Sequence, residues 1–236
     1  MESSHLLLGL DPLWVASVLL LLAYIAIIVD RVNRAVVAGI GACLVIVTGV
    51  LSQDEAIRGV DFNTIMLLTG MMLIVGVARR TGLFEYVAIR AVKAVRANPA
   101  AILALLAVIT AIFSALVDNV TTVLLVAPVT LAITRQLEVD AWPYLFAQVL
   151  ASNVGGTSTL IGDPPNIMIG SAAGYTFNDF LFNLGPVILV IVAVHGAIGH
   201  FAWGRGLRTS PADRARVLAM DERASITNPR LLRHTL

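Results

Sequence analysis

Three stretches of this chain run for about the thickness of a bilayer with almost nothing polar in them. Leu13 to Val29 is apolar but for Ser17, Ala35 to Leu51 is interrupted only by Gly, Cys and Thr, and Phe180 to Trp203 holds no Asp, Glu, Lys or Arg. Each approaches or exceeds the ~17–25 residues that cross a membrane as a helix. A membrane barrel would instead show ~10-residue alternating segments, and the sequence has none. Hydrophobic residues make up 58% of the 236 and charged residues 13%, whereas an ordinary soluble domain is about a quarter charged. The expected class is an all-α integral membrane protein lying in the lipid bilayer. A net charge of +1 gives no nucleic-acid signature. The single Cys43 excludes an intramolecular disulfide and a cysteine metal cluster. Glu2 and Asp11 precede the first apolar run without a basic segment, so that run is expected to be retained rather than cleaved as a signal.

Asp30 to Arg34 is short enough only for a tight turn between the first two spans. The connection Ser52 to Phe62 is acidic on balance, and a third span is expected over Asn63 to Ala78. After Arg79-Arg80, the residues Leu83, Phe84, Val87, Ala91 and Val95 recur at helical spacing among Arg90, Lys93 and Arg96. That pattern predicts a basic amphipathic helix on the membrane surface. Pro99 to Thr134 is apolar except at Asp118-Asn119. Trp142 to Ala151 is apolar again and leads into Ser152 to Asn166, where Gly155-Gly156 and Pro164-Pro165 forbid one continuous helix.

Basic residues set the topology. They gather in the first turn, in Arg79–Arg96 and in the tail, which carries Arg205, Arg208, Arg214, Arg216, Arg223, Arg230 and Arg233. With the N-terminus outside, all three groups fall in the cytoplasm only if Pro99–Thr134 enters and returns. A re-entrant hairpin turning at Asp118-Asn119 is therefore expected. Two full crossings would give the same parity with arms close to the spanning minimum.

Two polar interruptions are then expected at membrane depth: Ser114 to Thr122, and Ser152 to Asn166. Irregular backbone is tolerated there only inside protein or beside a watery cavity, and an ionisable group there is a functional candidate by default. Free carbonyl ends of broken helices can hold a cation, and amide ends an anion. Blander readings exist: Asp118-Asn119 as an exposed loop, Gly155-Gly156 as a small-residue packing contact, Pro164-Pro165 as an external loop, and His195, His200, Gly196 and Gly199 as packing residues.

The runs Leu116-Val117-Asp118-Asn119-Val120-Thr121-Thr122-Val123, Ala127-Pro128-Val129-Thr130, Ser152-Asn153-Val154-Gly155-Gly156 and Gly162-Asp163-Pro164-Pro165-Asn166-Ile167 together resemble the ion-transporter superfamily. That group holds citrate-transporter-like permeases, dicarboxylate/sodium symporters, arsenite permeases, sodium/proton antiporters and the melanosomal P protein; the arsenite-permease and P-protein branch is the nearest in look. The resemblance covers Leu13 to Trp203. It implies a protein of two inverted repeats, each with a hairpin and a broken helix, of which this chain carries the N-terminal one: about five spans plus a re-entrant hairpin and a broken helix over residues 1–203, with 204–236 as a cytoplasmic linker or tail. It implies substrate- or ion-binding roles for Asp118, Asn119, Thr121, Thr122, Ser152, Asn153, Gly155, Gly156, Thr157, Asp163, Pro164 and Asn166. In the dicarboxylate branch the hairpin tip reads Ser-Asn-Thr and binds sodium. Here Asp118-Asn119 stands in that place, which turns the expectation from sodium–dicarboxylate symport toward a proton or a more tightly held cation.

The expected function is a multi-pass cell-membrane secondary transporter, or its N-terminal half, for a small anion or oxyanion such as arsenite or a carboxylate, with sodium or proton coupling and no cofactor. A second repeat on another chain, a C-terminal half, and a homo-oligomer are the partners left open. Alternatives are a sodium/proton antiporter-like protein, an intramembrane aspartyl protease using Asp118 and Asp163, and a truncated protein that transports nothing.

Overall fold

The computed structural model describes residues 11–228; Glu2, Arg230 and Arg233 lie outside the described residues. The described chain is helical, with no strand, and divides into two compact units on either side of the Phe62–Asn63 junction. Four helical segments are long and apolar enough to cross a membrane by length and composition: Pro12–Val29, Phe62–Arg79, Pro99–Leu116 and Phe177–Gly204.

In the first unit, α1 (Pro12–Val29) starts where the Asp11 carboxylate accepts from the Leu13 amide and ends at Asp30 in the left-handed region. Asn33 then caps α2 (Arg34–Val47). The tight turn is as the sequence predicts, but the second span is shorter. Thr48 bonds back to the Leu44 carbonyl and Gly49 takes φ 78°, so the helix stops after 14 residues, about 21 Å at ~1.5 Å per residue. The acidic connection contains a short helix, α3 (Gln53–Arg58), held by a reciprocal Ser52–Glu55 capping box.

The second unit is built around α6 (Pro99–Leu116). Its Ile102, Leu103, Leu106, Thr110 and Ser114 are buried by α5 (Leu83–Ala94), α7 (Asn119–Gln136), α8 (Trp142–Gly156) and α10 (Phe177–Gly199). α4 (Phe62–Arg79) buries only Thr64 and Val75, as expected of a helix whose sides face lipid. α6 and α7 form a helix–break–helix hairpin turning at Val117-Asp118, one residue before the Asp118-Asn119 turn expected from the sequence, because Asp118 caps α7 and Asn119 already belongs to it.

α5 departs from the surface-helix expectation. Its buried residues are Phe84, Ala88, Ile89 and Val92, and they pack against α6 and α7 rather than leaving an apolar face for lipid. Phe84 meets Phe113 edge to face at 4.9 Å between ring centroids, near the hairpin tip. Val92 and Ala97 join the cluster at its base. The helix flanks the hairpin and keeps Arg90 outward, and Arg96 is exposed in the turn that follows it.

The segment after α10 is also folded. A π-helical turn, His200–Gly204, extends α10, and α11 (Pro211–Leu218) docks on the end of α7. At the hairpin base the Tyr144 hydroxyl donates to the Pro99 carbonyl at 3.0 Å, and Trp142, Phe146 and Trp203 form one aromatic cluster.

Candidate functional site: two joined helix breaks

The first break begins where α6 ends. Val117 is extended, and Asp118 caps α7 by accepting the Thr121 amide at 2.8 Å. The second lies between α8 and α9 (Pro164–Ala173) and spans residues 157–163. It is shorter than the sequence suggests, because Ser152, Asn153, Gly155 and Gly156 still complete the last turns of α8.

The structure brings the two breaks into direct contact. Asn119 Nδ2 donates to Asn153 Oδ1 at 3.1 Å. Ser114 Oγ donates to the Ser152 carbonyl at 2.6 Å. The Thr159 hydroxyl donates to the Ala115 carbonyl. The Asp163 carboxyl lies within electrostatic range of Asp118. Asp118, Asn119 and Asp163 are partly buried and Asn153 is exposed, so these side chains line an accessible polar corner.

Other residues of the predicted set build the corner rather than line it. Asn166, 8% exposed, donates through Nδ2 toward the carbonyls of Gly156, Thr157 and Thr159, the last at 2.8 Å, and so holds the second break in shape. Gly155 sits so close to the Ala111 backbone that a Cβ would overlap it, which makes it the contact by which α8 crosses α6. Gly156 packs against Gly162, less tightly than Gly155 against Ala111. Ser152 and Thr157 bond back to the carbonyls of Val149 and Val154. Pro164 opens α9 without an amide donor. Thr121 serves through its amide, and Thr122 is fully buried with a hydroxyl that has no partner among the described residues.

Ser114, Thr159 and Gly162 were not in the predicted set, although all three fall within the polar runs. The buried pair Thr130–Gln148, 2.8 Å apart between α7 and α8, was also missed; a glutamine inside an apolar helix was its only sign. His195 donates through Nε2 to the Ala147 carbonyl, 3.0 Å away, in keeping with a packing role.

The helices give the breaks a common level. α10 runs antiparallel to α6 and α8, with Gly199 beside Leu103 and His195 on Ala147. Counting equal steps from either pairing, the ends of α6 at Leu116 and of α8 at Gly156 both fall level with Pro186 of α10. From there α10 continues to Phe177, roughly 14 Å further at ~1.5 Å per residue.

An apolar bundle with joined, mutually hydrogen-bonded breaks in its interior defines the class: a polytopic helical membrane protein organised around broken helices. Within that class the chain belongs to the citrate transporter family, whose model matches residues 24–234. It is 47% identical over 214 residues to an uncharacterized transporter of Mycobacterium tuberculosis (strain CDC 1551 / Oshkosh), covering 89% of this chain and 50% of that one. It is 41% identical over 222 residues to the 46 kDa membrane protein of Mycobacterium leprae, covering 92% and 52%, and 34% identical over 208 residues to the P protein of Homo sapiens, covering 82% and 24%. The chain spans about half the length of the mycobacterial relatives it matches, and about a quarter of the human P protein. The family is one of transporters, so the protease reading of Asp118 and Asp163 is set aside.

Proposed function

We propose that this chain is one half of a secondary transporter whose joined breaks hold the coupling cation, and whose cargo is a small anion or oxyanion such as arsenite or a carboxylate. The observation that carries this is the convergence of four helix ends. α6 and α8 finish at the breaks, so their carbonyl ends bring partial negative charge beside Asp118 and Asp163. A sodium ion or a proton is the natural guest there. α7 and α9 begin at the same place, and their N-terminal dipoles favour an anion. Pro164 and Pro165 remove two amide donors from α9, so this half offers an anion mainly dipole and leaves room for a second repeat. Relatives of about twice the length accord with such a repeat, supplied on the same chain, on another, or by an oligomer.

The hairpin is read as re-entrant from the cytoplasm, with the N-terminus outside and the tail inside. Two features support this. α10 extends well past the level of the tip, and the flank of the hairpin is covered by α5, which carries Arg90 and Lys93 and is followed by Arg96.

The test is uptake of arsenite or citrate into proteoliposomes holding this chain together with a second half, under an imposed sodium or proton gradient. Gradient-driven uptake that is lost in Asp118→Asn is the expected result. Undiminished coupled uptake by that variant would remove the cation from this corner. The proximity of two carboxylates favours a second reading, sodium/proton antiport, which would appear as sodium-driven proton movement with no anion present.

A further inference from the structure

The segment after α10 is bound far more closely than a linker between halves requires. Val217 is 1% exposed and belongs to the same core cluster as Ala88, Val92 and Leu137. Thr209 donates to the Leu137 carbonyl at 2.9 Å, and Arg216 bridges Glu138, at 3.1 Å, and Asp213. These contacts grip the base of the hairpin at the end of α7. The chain then follows α5 in the opposite direction. Glu222 pairs with Lys93, both about three-quarters buried. The Ser225 carbonyl rests on Gly82, whose φ of 75° and lack of a Cβ are both needed there. Thr227 donates through its amide to the Thr81 carbonyl and through its hydroxyl to the Arg80 carbonyl, at 3.2 and 2.7 Å. α5 is thus held between this segment and the hairpin along its whole length, from the base to Phe84–Phe113 near the tip.

We propose that residues 204–228 are a clasp that locks α5 onto the hairpin, and that its release frees the hairpin tip to move. This rests on reading α6–α7 as the ion-binding hairpin, but its test measures no transport. Linkers that only connect do not need a glycine cradle at one end, an apolar anchor at the other and ion pairs both to α5 and to the turn that follows α7. The clasp meets all of these, and it touches α5 and the end of α7. An opening here passes directly to the tip through Phe84 and Phe113.

Hydrogen exchange of the full chain in lipid nanodiscs tests this, comparing wild type, Lys93→Glu, Glu222→Lys, the double charge swap and Gly82→Ala. Each single variant should speed exchange in residues 211–228 roughly fivefold, the scale of losing one partly exposed ion pair. Exchange at the tip, residues 117–122, should rise with it. The double swap should return both to near wild type, which separates clasp release from misfolding, and Gly82→Ala should reproduce the effect without a charge change. Faster exchange in the tail with an unchanged tip would show a packed tail and no clasp. Unchanged tail exchange in the single variants, or no recovery in the double swap, would overturn the proposal as well.

Discussion

Asp118 closes the first turn of α7 through its hydrogen bond from Thr121 and lies within electrostatic range of Asp163 in the second break. Asparagine caps a helix about as well as aspartate. Asp118→Asn should therefore keep thermal stability within about 0.5 kcal/mol while ending cation coupling, whereas Asp118→Ala should also lose about 1 kcal/mol of capping. A thermal melt beside a flux assay separates the two; a large stability loss in Asp118→Asn would mean the charge itself holds the fold. Asn166 has a different task. Its amide ties down carbonyls that have no helical partner, so Asn166→Ala should destabilise the chain by about 1–3 kcal/mol whether or not ligand is present. The sequence made Asp118 and Asn166 visible as polar residues in apolar surroundings. It did not separate their roles, because which atoms an amide meets is decided by how the loop folds back.

Between elements, the α6–α8 crossing depends on Gly155. A methyl group there meets the Ala111 backbone, which cannot give way as a side-chain tip would. Gly155→Ala should cost on the order of 1–3 kcal/mol through overpacking and lower the yield of folded protein in mild detergent. Near-wild-type stability would restore a ligand-facing role to this glycine. The α5–tail contact carries a pH dependence. The Lys93 hydrogen bond, with the Glu222 backbone amide and the nearby Lys93 and Arg90 charges, holds the Glu222 carboxyl below the ordinary glutamate range. A lowered folded-state value means the contact contributes fully above the unfolded pKa of about 4.3 and fades as the pH falls below it. Tail exchange should thus be insensitive to pH from about 7 to 5, after correction for the intrinsic rate, and accelerate below about 4. The helices and both breaks were legible in the sequence because apolar runs and Gly and Pro act locally. The burial of α5 was not: its amphipathic pattern fits a lipid surface and a protein groove equally well, and only the arrangement of α6, α7 and the tail decides between them.

At the scale of the molecule, the described residues hold one hairpin and one broken helix, which give one pair of joined breaks and one pair of helix starts. An anion held between opposed helix N-termini needs a second set. The basic residues of Arg79–Arg96 and the tail favour a single orientation in the membrane, so two copies inserted the same way would not supply an inverted partner. The most direct measurement is substrate flux into proteoliposomes by this chain alone, set beside the chain joined to a second half. No flux above empty liposomes is expected for the chain alone, and saturable, gradient-driven flux for the joined protein. Saturable coupled flux from the isolated chain would contradict this.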